Sequence, residues 1–441
     1  MGRARGRTGG CSRRAAPLLA LWLAACSVVD FARPGTRDPE ATYAGTYRYY
    51  AEFCALSQIQ KRPGFGAEIR GEIGGHAVFW LNGACRGTGP DPQVLRLCEP
   101  GEADGVGISM NEHFRTAKWV AIPGRDFFYD GGLPPGTPLT RATYAETQAE
   151  ARRLGLYDGI EFHPRFFEDM SPGFDAEAWK YEISVATDYA ISHGRGRYCA
   201  RVPVNQAQMQ AMIGFLNAEN APYRSGAREF RWSLFQDNCI HLAHNALAVA
   251  GVWPRWPTNR PLLVSILDFP VPKNEFVNLM RRTNDAALLD PLAAWRDPAA
   301  RRAVLDFGQL PVRPGSIALS WPARTPNDIY ETALKLVFYD EPNLGPYRGW
   351  LADILADPGR VDLAENLRHT AALYRRQQAA WQPLSWWLAQ PEFRTIPPAE
   401  TRAFRTRFAA ALDRDIAGLD RQLAQVERAR ATVALGAAMP R

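Results

Sequence analysis

From residue 398 onward, apolar side chains recur at three- and four-residue steps: Phe404, Phe408, Leu412, Ile416, Leu419, Leu423, Val426 and Val433. Only a helix gathers such a series on one face, with the intervening arginines and aspartates turned to water. A helix of roughly 40 residues reaches about 60 Å, so its apolar stripe needs a long partner. That partner is either the helical body of the same chain or a second copy, paired as a coiled coil. The N-terminal half is patterned differently. Gly75-His76-Ala77-Val78-Phe79-Trp80-Leu81 reads as a strand, and Asn82-Gly83 after it is a tight-turn signal. Residues 106–110, 119–123 and 198–204 read as further strands, with a Gly/Pro-rich loop at 130–138. Strands early and helices late predict an α+β fold.

Local signals fill in the order. Residues 43–60 start a helix, with Tyr47, Tyr50 and Phe53 on one side, and 143–154 form another. Residues 183–191 make a short element. Asn205 caps a helix to about residue 217, with Met209, Met212 and Leu216 on one face. Beyond Pro257 the pattern is mainly helical, and Thr325-Pro326-Asn327-Asp328 looks like a helix start leading to residue 338.

The first 25 residues stand apart. Arg3, Arg5, Arg7, Arg13 and Arg14 precede a short apolar stretch, and no acidic residue interrupts them. The stretch is too short for a span needing about 20 apolar residues, but it has the form of an export signal. Leu23-Ala24-Ala25-Cys26 then resembles the lipobox of bacterial lipoprotein precursors. The resemblance implies removal of residues 1–25, a diacylglycerol on Cys26 and a tether at 26–45. With Ser27 rather than Asp next, it implies retention at the outer membrane, facing the periplasm. The net charge of +6 shrinks to +1 once the five signal arginines are gone, so nucleic acid is not an expected partner.

Loss of the signal and lipidation of Cys26 leave Cys54, Cys85, Cys98, Cys199 and Cys239. In an oxidising compartment thiols pair, and an odd number leaves one over. A Cys85–Cys98 bridge across a Gly/Pro loop is expected. Cys54 with Cys199 would complete two bridges, with other pairings open. Cys239 follows Asp237-Asn238 at the start of a helical apolar pattern. An N-terminal first turn favours an anion, which makes a thiolate available for attack. Such a nucleophile needs a base, and His76, after small residues at a strand start, is the candidate. A third polar group should orient the imidazole; Ser109, Asn111 and His113 all alternate onto one face, and pattern cannot choose among them. His241 and His244 lack further ligands at zinc spacing and read as cap or packing residues. His163 and His193 read as surface loop residues. No cofactor and no metal is expected.

Phe230-Arg231-Trp232 with Phe235 and Asn238-Cys239, after Gly75-His76-Ala77, resembles the Lnb-type N-terminal periplasmic domain family. More distantly it resembles permuted NlpC-like and lecithin:retinol-acyltransferase-like folds. The resemblance covers residues 73–250, and departs from the family at Ile240-His241, where a small hydroxyl residue usually follows the Cys. It implies a circularly permuted papain-like domain at 46–260; the helical pattern beyond it gives a helical C-terminal domain at 261–441. It further implies that Cys239 attacks an amide or ester and His76 serves as base. The expected substrate is a cell-envelope one, peptidoglycan peptide or lipid acyl group. A thiol acyltransferase with the same dyad and a non-catalytic envelope scaffold are the alternatives.

Overall fold

The computed structural model describes residues 40–66, 75–89, 91–102, 105–258, 261, 264, 271–333 and 346–438, with the backbone of two further short strands. The signal segment 1–25 lies outside the described residues. So does the side chain of Cys26, the expected lipidation position. The molecule is mixed α+β, built on one antiparallel sheet of six strands.

Strand β1 (Cys26–Val29) pairs with β10 (Leu336–Tyr339) away from the main sheet, so the start of the expected tether is strand. The central strand of the main sheet is β2 (Tyr50–Leu56), where sequence periodicity suggested a helix. The helix there is only Glu40–Thr46. All seven β2 residues are buried, because helices or loops cover both faces. A strand buried on both sides loses its polar alternation, and with it the period-two signal.

On one side of β2 lies β3 (His76–Asn82), turned by Gly83 at φ 89° into β4 (Ala84–Arg86), as the Asn-Gly pair predicts. Strand β4 pairs with β5 (Leu95–Leu97), and the Cys85–Cys98 disulfide closes this small flap. Beyond β3 come β6 (Gly105–Ser109) and β7 (Val120–Pro123). On the other side lies β8 (Arg197–Pro203), joined to β2 by the Cys54–Cys199 disulfide. The sixth strand, β9 (Ile317–Trp321), comes from the part of the chain expected to form a separate helical domain.

Pleating sorts the side chains. Glu52, Cys54, Trp80, Arg197 and Arg201 share one face, where helix Arg125–Asp130 packs with Phe128 and Tyr129 near Trp80. Tyr198 belongs to the opposite face and meets Phe276 of helix Pro272–Thr283. Helix Cys239–Val249 packs on β3 on that same side.

Helix Gln206–Arg224 starts at the expected Asn205 cap but runs past Pro222. Residues 325–338 depart from expectation. Asn327 Oδ1 caps only a turn, accepting from the N–H groups of Ile329 and Tyr330, and residues 336–339 are strand β10. The last helix, Pro398–Ala438, packs on helix Leu363–Ala379 of the same chain, burying Phe404, Phe408, Leu412, Leu419 and Val426. Val433 is exposed, so the buried seam ends before it.

Candidate active site

Cys239 opens its helix because Asn238 caps it. Asn238 Oδ1 accepts from the N–H groups of Ile240 and His241 at 2.9 and 3.2 Å, and the Asn238 N–H donates to His241 Nδ1. His241 is thus the reciprocal member of a capping box. Just upstream, Ser233 and Asp237 exchange two backbone hydrogen bonds, which fixes the chain into the cap. Cys239 is 7 % exposed and belongs to neither disulfide. The helix dipole favours an anion at this position.

A cavity of about 640 Å³ lies beside this tip, lined in part by Lys118, Glu219, Arg228, Asp237, Arg255 and Trp256. Lys118 is buried between Glu219 and Asp237, at 2.7 and 2.9 Å. Burial alone would lower the Lys118 ammonium, but the two carboxylates outweigh it and raise it. Asp237 is raised by its own burial, partly offset by Lys118. The Trp256 wall is fixed by His244, whose ring is stacked between Trp253 and Trp256 at 4.3 and 3.9 Å. His244 Nε2 lies 2.8 Å from the Pro254 carbonyl, and Nδ1 contacts Glu275 of the neighbouring helix. Both histidines therefore do structural work, as cap and as packing.

His76 is the first residue of β3 and is 6 % exposed. Its end of the sheet is also that of Cys239. Ser109 at the end of β6 pairs with Val120 of β7, and nearby Lys118 reaches Asp237, two residues before the thiol. The pleat, however, puts His76 with Cys54 and Trp80, whereas the Cys239 helix packs on the other face. His76 and the helix that Cys239 opens thus lie on opposite faces of β3, toward the same end.

Of the three candidate orienting groups, two converge on a carboxyl that sequence reasoning missed. Ser109 Oγ and Asn111 Nδ2 donate to Asp188 Oδ1 at 2.8 and 3.1 Å, and the Tyr157 hydroxyl donates to Oδ2 at 3.2 Å. Continuing the β3–β6 register brings Asn111 level with His76 on the same face. His113 goes elsewhere, its ring packed against Phe162 and Phe166. Asp188 is fully buried, and burial raises its carboxyl to about 6 against the pull of its donors. Ala186 and Ala190 around it hold φ values of 64° and 50°, a conformation that alanine avoids. No periodicity or motif marks Asp188, since its partners lie some 30 to 80 residues away.

His193, expected at the surface, is completely buried, with Nε2 near the Asp130 carbonyl and its imidazole lowered by burial to about 4. His163 is half-buried against the Phe230 carbonyl. The cluster of Glu52, Cys54 and Cys199 has ligand spacing, but both sulfurs are spent in the disulfide. No family model matches the chain, and comparison with curated proteins and with solved structures likewise returns no match.

Proposed function

We propose that this chain is a cysteine hydrolase with a circularly permuted papain-like arrangement, acting on an amide or ester bond in the bacterial envelope. The observation that carries the reading is Cys239: a cysteine outside both disulfides, on a capped helix tip, two residues after Asp237 in the wall of a polar cavity. Its Sγ attacks the carbonyl carbon. His76 takes the thiol proton and returns it to the leaving group as the C–N or C–O bond breaks, the Cys239 N–H donates to the oxyanion, and water then cleaves the thioester to release the acid and restore the thiol. Because of the pleat, His76 reaches the thiol around the end of β3, where Gly75 at φ 79° gives the backbone its freedom. Asn111 orients the imidazole and is itself held by Asp188. Export and lipidation at Cys26, with retention at the outer membrane, complete the reading. The two disulfides support an oxidising compartment.

Alkylation by iodoacetamide near neutral pH tests it. Cys239 should react at least about tenfold faster than an ordinary exposed thiol, and His76→Ala should slow it. An inert Cys239 in the folded protein would end the enzyme reading. Equal rates with and without His76 would remove His76 from the mechanism.

A further inference from the structure

On the other face of the sheet, far from the thiol in chemistry, three arginines gather around a cavity of about 200 Å³. Arg125 and Arg201 are matched by acids. Arg125 Nη2 donates to both oxygens of Glu52 at 2.9 and 2.8 Å, Arg201 Nε also reaches Glu52, and both guanidiniums contact Glu40. Among the described residues Arg197 has no such ion-pair partner. It is 5 % exposed, its side-chain hydrogen bond goes to the neutral Ser192 hydroxyl, and its buried Nε has no hydrogen-bond acceptor among those residues. Arg125 Nη1 is in the same condition.

Aromatic rings hold the plane of the Arg197 guanidinium. It lies 4.5 Å from the Tyr129 ring and 4.4 Å from Trp321, while Arg125 is also 4.5 Å from Tyr129. Cation–π contact satisfies the faces of a guanidinium but leaves its N–H edge unspent. A guanidinium cannot shed its proton to escape burial, so one buried without a full counter-charge is held at a cost. The other acids at the cavity answer it only in part: Asp130 favours the Arg197 cation through space but is paired with Arg324 at 3.3 Å, and Asp126 sits exposed at the rim.

We infer that this cavity is a binding site for a small oxyanion, a carboxylate or phosphate group, seated on the N–H edge of Arg197 and aided by Arg125. The flat aromatic clamp suits a bidentate, planar contact with two ligand oxygens. The site shares its sheet face with His76, but its readout is anion binding rather than turnover, so it is measured without the Cys239 thiol.

Titration of the full chain with sodium phosphate and, separately, sodium acetate, followed by tryptophan fluorescence at constant ionic strength, decides the matter. Saturable binding of either anion with a dissociation constant near about 1 mM is expected, unchanged in Cys239→Ser. The arm that saturates tells phosphate from carboxylate. Arg197→Met should weaken binding at least about tenfold. Should that variant fail to fold, the exposed-rim change Asp126→Asn serves instead and should tighten binding about threefold by removing a like charge. Absence of saturation in both arms, equal affinity in a folded Arg197→Met, or an Asp126→Asn variant that binds no better would each overturn the site.

Discussion

The two faces of the central sheet solve the burial of charge in opposite ways. On the Arg125 face, Glu52 sits at zero exposure in the middle of β2, yet Arg125, Arg201 and Tyr129 all direct donors at it. Burial alone would raise this carboxyl; the two guanidiniums outweigh that and hold it at about 2. On the opposite face Lys273 is equally buried, over the Tyr198 ring at 5.2 Å, and there burial dominates, bringing the ammonium down to about 6. Two guanidiniums keep one group ionised, whereas burial favours the neutral form of the other. The difference teaches that depth alone does not set the charge state in this core.

The largest way to break the contrast is Glu52→Gln, which strands two buried guanidiniums and should cost about 3–5 kcal/mol in urea unfolding. Glu52 is lowered in the folded state, so its contribution is present above the ordinary value of 4.5 and is lost as pH falls from there to about 2. In Glu52→Gln that acid-limb loss should disappear. A cost under about 1 kcal/mol would show the network to be ornamental. On the other face, Lys273→Met should stabilise, by about 1–3 kcal/mol at neutral pH. Between pH 6 and 10.5 the unfolded chain holds a proton at Lys273 that the folded chain has released, so wild-type stability rises with pH there. The variant should lose that slope; an unchanged slope would refute the assignment.

Asp188→Asn is expected to act at about 1–3 kcal/mol. The folded carboxyl keeps its proton to about 6, above the ordinary 3.8, so wild-type stability falls as pH rises through this window. The amide should abolish the fall, and any loss of His76-dependent alkylation of Cys239 would tie Asp188 to the site through Asn111. Smallest is Asn238→Ala, at about 1 kcal/mol or less for the lost cap, with slower alkylation of Cys239. Alkylation at the wild-type rate would separate the cap from thiol reactivity.

Much of this architecture is legible in sequence because it is local. The apolar run at residues 76–81, the Asn82-Gly83 turn and the Asn205 and Asn238 caps depend on neighbours within four positions. The long C-terminal helix declares itself by spacing alone. What escapes reading is tertiary. Tyr47, Tyr50 and Phe53 mimic a helix stripe, yet Tyr50–Leu56 is the doubly buried central strand. Thr325–Asp328 has helix-start chemistry with only a turn to cap. Within the candidate site, Cys239 and His76 stand out by residue type and placement, whereas Asp188 gains meaning only when Ser109 and Asn111 fold onto it.

Strand β9 carries a consequence for the order of events in a growing chain. Residues 50–56 and 197–203 can pair and form their disulfide early, but β8 remains a bare edge until residues 317–321 arrive. More than a hundred residues must emerge while that edge offers its backbone to any passing strand. A fragment cut at 260 would carry the thiol, the histidine and both disulfides, and would still be prone to aggregate for want of five residues from the far end.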